Sequence, residues 1–358
     1  METRSAWGRL RPQALRVAQC FACSRIYPSE DNLNFRTFNG TDFQTSEVGL
    51  GCWQLGGADW GDVSDAQAHD ILTAAVESGV NFFDTADVYG AGRSEELIGK
   101  FLKETKAEIF VATKLGRLNL YPDKYTEATI RAATEASLQR LQVESLDLTQ
   151  LHCIPTEVLR QGEVFEWLRK LKQEGKIKSF GASVESMEEA QVCLQQDGLS
   201  SLQIIFNVFR QKPIATIFDE AKQKSVALIV RLPLASGLLS GKLTKAASFP
   251  ANDHRNYNRD GQFFNVGETF AGLPFEKGIE LTEELRAFVP EGMAMAQWAM
   301  RWILDFDAVT VVIPGATKIS QVQSNASSSA LPPLDGELHE KLSAFYAEKV
   351  AANIRGPY

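Results

Sequence analysis

The sequence has little that would let it bind nucleic acid, span a membrane or rely on disulfides. Its 37 Lys and Arg are outnumbered by 45 Asp and Glu, for a net charge of −8. No basic cluster interleaved with aromatics appears, which argues against a nucleic-acid partner. No uninterrupted apolar run approaches the ~18 residues of a membrane span, so a soluble chain with no membrane partner is expected. Cysteines number five, an odd count, and only Cys20 and Cys23 have C-x-x-C spacing. With His69, His152, His254 and His339 too scattered to complete a zinc site, free thiols in a reducing compartment and no metal are expected. A G-x-G-x-x-G turn after a strand, which would open a doubly wound dinucleotide fold, is also missing.

Acidic residues are scarce at the start of the chain. Arg4, Arg9, Arg11, Arg16 and Arg25 are accompanied by Glu2 alone before Glu30. Residues 1–33 are therefore expected to be an N-terminal extension outside the fold. An organelle transit peptide fits the arginines but not the low Ser and Thr content. An upstream translation start giving a disordered tail fits equally, and a cytoplasmic protein and an imported one both stay open.

What is present, over 358 residues at 44% hydrophobic and 23% charged, suits one large core or two domains. Asn39-Gly40 between FRTF and FQTSEV predicts a short hairpin. Apolar runs then predict strands at Val48 to Gly51, Val80 to Phe83, Ile109 to Thr113, Leu146 to Leu151, Ile177 to Ala182, Leu202 to Phe206, Val226 to Val230 and Val309 to Ile313. Helical stripes separate them. Ile71, Leu72, Ala75 and Val76 share one face, as do Ile130, Thr134, Leu138 and Leu141, and Val164, Leu168 and Leu171. Ser64 with Gln67 and Ser186 with Glu189 read as capping boxes, and Ser94 as a helix N-cap. Strands alternating with helices in this way predict a (β/α)8 TIM barrel over residues 34–358, preceded by the hairpin. Ala251 to Gly292 reads as a long functional loop after the seventh barrel strand, from which Arg255, Tyr257, Arg259, Phe263 and Phe264 could reach a ligand.

Barrel strand ends converge on one mouth. Asp84, Lys114 and His152 each fall at or just past such an end, and Tyr89 follows Asp84 in the same loop. Taken singly, a loop tyrosine, a lysine or a histidine is more often plain surface or a satisfied polar group. Four at one mouth are a candidate site.

The run DTADVYGAGRSE at Asp84 to Glu95 resembles the aldo/keto reductase family. The resemblance extends through LGCWQLGG at Leu50 to Gly57, VATKLG at Val111 to Gly116, LTQLHC at Leu148 to Cys153, LASGLLSGK at Leu234 to Lys242 and IPGATK at Ile313 to Lys318. It implies an oxidoreductase that reduces the carbonyl of a small aldehyde or ketone to an alcohol, reversibly, with NADP(H) in preference to NADH. Tyr89 would be the proton donor, Lys114 would bring its pKa nearer neutrality, Asp84 would pair with Lys114, and His152 would orient the carbonyl oxygen.

By the same resemblance Gly51, Cys52 and Trp53 lie by the nicotinamide, and Ser183 and Gln203 contact its carboxamide. Pro233, Leu234, Ser236, Gly237 and Leu239 match the pyrophosphate loop. Gly315, Lys318, Gln321 and Asn325 match adenosine-side positions, with Lys318 the candidate phosphate partner. Three positions depart from the family pattern. Val184 stands where an Asn often follows Ser183, Arg231 stands where an aromatic commonly stacks on the nicotinamide, and Gly315-Ala316 replace polar residues. A guanidinium can lie flat on a ring, so Arg231 remains a candidate cofactor residue. The alternative is a nicotinamide-nucleotide-binding regulatory or channel-associated module with little turnover. A barrel lyase or isomerase leaves Tyr89 with Lys114 unexplained. Oligomeric state is open.

Overall fold

The computed structural model describes residues 33–57 and 59–358. The extension through residue 32, including Cys20 and Cys23, lies outside the described residues. Strands β1 (Phe35–Thr37) and β2 (Gln44–Ser46) pair antiparallel as the expected hairpin. Eight parallel strands follow: β3 (Leu50–Gly51), β4 (Phe82–Asp84), β5 (Phe110–Leu115), β6 (Leu146–His152), β7 (Ile177–Ser183), β8 (Ser201–Ile205), β9 (Ala227–Arg231) and β10 (Val309–Val312). Each pairs with the next in chain order. Bridges from Val48 to Val312 and from Gly51 to Gly315 bring the first strand to the last and close the (β/α)8 barrel.

The barrel interior is graded from apolar to polar. Because side chains alternate across a strand, residues two apart share a face. Phe82, Phe110, Ala112 and Leu148 form a closed apolar cluster with Phe38 from the hairpin turn. Phe38 plugs the lower end, its ring 4.9 Å from that of Phe110. One step up the same faces come Asp84, Lys114 and Gln150, all buried. So the hairpin seals one end of the barrel and the chemistry gathers at the other.

Local differences from the sequence reading have physical causes. β4 extends through Asp84, a residue strands avoid, because the backbone pairs with Gly51 and Ala112 and the buried carboxylate meets Lys114. Ser186 and Glu189 do form a capping box. Ser64 caps its helix at Gln67 N, but the Gln67 side chain donates to Thr317 O at 2.7 Å instead of closing the box. Ser94 is not an N-cap. Gly92, in the left-handed region, precedes the helix Arg93–Glu104, and the buried Ser94 hydroxyl donates to Cys52 O at 2.9 Å. The Ala251 to Gly292 stretch is not one loop. It carries the short turns Val266–Glu268 and Phe270–Gly272 and an 11-residue helix, Phe275–Leu285, that buries Phe275, Ile279, Thr282 and Leu285.

Candidate active site

Lys114, on β5, is fully buried, and its ammonium donates to three oxygens: Asp84 Oδ1 at 2.5 Å, Thr85 O at 2.9 Å and the Tyr89 hydroxyl at 3.1 Å. These bonds use all three of its protons. Asp84 Oδ2 accepts from Gln203 Nε2 at 2.6 Å and from Gln150 Nε2 at 3.3 Å. The His152 ring stands edge-on to the Tyr89 ring, centroids 5.8 Å apart, and the Trp53 indole stacks on Tyr89 at 5.9 Å. All four residues expected to form the site are thus adjacent.

Burial dominates the proton affinities. The Tyr89 phenol is pushed up to about 12 by burial, against the pull of Lys114 toward the phenolate. The expected shift toward neutrality is therefore reversed in net direction, because desolvation outweighs the ammonium. For Lys114 burial favours the neutral amine, yet Asp84 and Tyr89 more than compensate and hold it above the ordinary lysine value. His152 is held well below the usual imidazole range by burial and by Arg117, Lys114 and Arg231. It is neutral at physiological pH, with one N–H to give.

A cleft of about 560 Å³ opens above this cluster. Asp84, Tyr89 and His152 line it together with Gly51, Cys52 and Trp53. Gln203, Arg231, Pro233, Leu234, Ser236 and Gly237 also line it, as do Gly315, Gln321 and Asn325. Lys114, Ser183, Leu239 and Lys318 do not line it. Lys114 lies beneath the surface, Ser183 is buried and donates to Gln203 Oε1 at 3.3 Å, Leu239 belongs to the core, and Lys318 is exposed. Ser236 is engaged structurally. Its hydroxyl donates to Glu268 O at 3.2 Å and accepts from Phe270 N at 3.1 Å, pinning the strap 266–272. Gln321 Oε1 accepts from the backbone N–H groups of Thr317 and Lys318. Arg231 donates to Val184 O at 3.1 Å and lies 3.5 Å from Glu268.

Several lining groups had not been singled out from the sequence: Trp60, Lys242, Glu268, Ser320 and Ser324. Lys242 ends the LASGLLSGK run, a signal that was within reach. Glu268 was hidden in the insertion. Of the insertion residues thought able to reach a ligand, Arg255 lines the cleft, whereas Tyr257, Arg259, Phe263 and Phe264 do not. Tyr257 and Phe264 act one step back. The Tyr257 hydroxyl donates to Asp59 Oδ1 at 2.6 Å, Asp59 Oδ2 accepts from Trp53 Nε1 at 3.0 Å, and Phe264 meets Trp53 edge-on.

The barrel mouth thus joins a buried Lys-Asp pair to a tyrosine hydroxyl and a neutral histidine at one cleft. A family model described as the Aldo/keto reductase family matches residues 47–347, and the chain belongs to that family. The aldo-keto reductase YhdN of Bacillus subtilis is 28% identical over 299 residues, spanning 82% of this chain and 87% of its own length. The aldo-keto reductase yakc [NADP(+)] of Schizosaccharomyces pombe is 26% identical over 309 residues, spanning 82% and 86%. Among solved structures, the glycerol dehydrogenase AKR11B4 from Gluconobacter oxydans superposes with a TM-score of 0.73 at 30% identity, covering 92% of this chain and 98% of its own.

Proposed function

We propose that the protein is an NADP(H)-dependent reductase of small aldehydes and ketones, with Tyr89 as the proton donor. One observation carries the assignment: a single buried ammonium, Lys114, bonds both Asp84 and the Tyr89 hydroxyl at the cleft floor. The cleft's donor set fits a phosphate-bearing dinucleotide. Arg231, Lys242 and Arg255 line it, together with Ser320 and Ser324. Lys242, exposed like Lys318, lines the cleft, as does Arg255, and Lys318 does not, so Lys242 and Arg255 are the better candidates to hold phosphate. The name of the fission-yeast relative, which carries NADP(+), agrees with this choice.

When bound, the nicotinamide supplies or accepts the hydride. The chain's own residues do the remainder. His152 donates its N–H to the carbonyl oxygen and fixes its orientation, while Tyr89 passes its hydroxyl proton to the developing alkoxide. Lys114 stabilises the phenolate left behind, and Asp84 keeps Lys114 charged and aimed. Trp53 and Trp60 wall the cleft with rings, backed by the buried His254, and reduce water access. In alcohol oxidation the same phenol works as the base.

The test is fluorescence titration with NADPH and NADH, followed by NADPH oxidation against a carbonyl panel. Glyceraldehyde belongs in that panel because one structural relative is named a glycerol dehydrogenase. Nucleotide binding with turnover is expected. Binding without turnover on any carbonyl would shift the assignment to a regulatory module.

A further inference from the structure

Gln150 lies on β6 two residues before His152 and at the register level of Lys114, its direct partner on β5. It is fully buried, and it does not line the cleft. Its Nε2 donates to Asp84 Oδ2, while its Oε1 has no partner among the described residues. A buried amide oxygen left unpaired is unfavourable, and a leucine of similar size would avoid that penalty at this depth. Among the described residues, the bond to the Asp84 carboxylate is the one side-chain hydrogen bond that offsets it.

We propose that Gln150 is a positioning residue for the reaction, holding Asp84 Oδ2 so that Oδ1 stays aimed at Lys114 and Lys114 at Tyr89. The proposal rests on the reductase assignment above. Gln203 makes a shorter bond to the same oxygen, but it lines the cleft and is open to engagement by a bound ligand. Gln150 lies below that surface and keeps its hold on Asp84 when the cleft is filled. Each oxygen of the carboxylate then has a donor that cofactor binding cannot take away: Lys114 for Oδ1 and Gln150 for Oδ2. The charged groups bearing on Tyr89 are Lys114 and Asp84 from the barrel, Arg117 just past β5 and Glu268 from the strap. A donor on Asp84 offsets part of that carboxylate's opposition to the phenolate.

The test compares wild type with Gln150→Leu, and with Gln150→Met as a second shape, in the full chain. The expected result is a fall in kcat for carbonyl reduction of about tenfold, the scale of one hydrogen bond to a charged group. KM and the NADPH Kd should stay within about twofold, since the residue is outside the cleft. The pH dependence of alcohol oxidation should move to higher pH, as the phenolate becomes harder to form. A lower Tm with kcat and pH profile unchanged would make Gln150 merely structural and overturn the proposal. So would failure of both variants to fold, or a rise in NADPH Kd matching the loss in kcat. If wild type itself shows no turnover, the reductase assignment falls first and takes this inference with it.

Discussion

Lys114 Nζ stands 3.1 Å from the Tyr89 hydroxyl, and the same nitrogen is 2.5 Å from Asp84 Oδ1. A proton leaving Tyr89 would do so beside a cation that a carboxylate holds in place. Both partners of the ion pair are buried, where desolvation offsets much of what the pair contributes to stability.

Removing one member of the pair separates these two effects. Lys114→Met leaves the Asp84 charge buried without its cation and should cost about 3–5 kcal/mol of stability as well as most of kcat. Adding Asp84→Asn should restore much of the Tm while turnover stays low, because the group stabilising the phenolate is still missing. Recovery of turnover in the double variant would show that Lys114 is dispensable to the reaction. Thermal melts alongside NADPH oxidation check both points.

The pH dependence should differ between directions. With Tyr89 pushed up to about 12 and His152 held neutral, both groups are in the form that reduction requires at neutrality. Raising the pH from about 6 to about 9 should therefore not lower kcat for reduction through either residue. Oxidation needs the phenolate, whose population grows about tenfold per pH unit below the pKa, so its rate should climb across the same range. A reduction rate that collapses there, with a limb abolished by Tyr89→Phe, would place the phenol's pKa near neutrality.

Much of this architecture was legible because buried parallel strands are written as short apolar runs and the site sits where those runs stop. Asp84, Lys114 and His152 announced themselves as charged or polar residues directly after apolar runs. What stayed hidden depends on contacts between distant strands. Gln203 looked like a cofactor contact, and nothing local says that its amide turns toward Asp84 on the far side of the sheet order. Nor does anything local to Ser236, which lines the cleft, say that its hydroxyl ties down a strap about 30 residues away in sequence. The helix Phe275–Leu285 was obscured by reading composition over the whole insertion, where Asn, Asp and Gly outweigh its six buried positions. Gln150 was inside a quoted motif, two residues from His152 and so on the same strand face. That period of two was the available signal.

The most direct measurement is kcat and NADPH Kd for Tyr89→Phe side by side with wild type. Deleting the hydroxyl removes the proton donor and leaves the ring stacked on Trp53. A fall in kcat of about 10²–10⁴, the usual worth of a general acid, with Kd changed less than about twofold, is the predicted result. Normal turnover in that variant would contradict the assignment of Tyr89 as the acid, and with it the role given to Lys114.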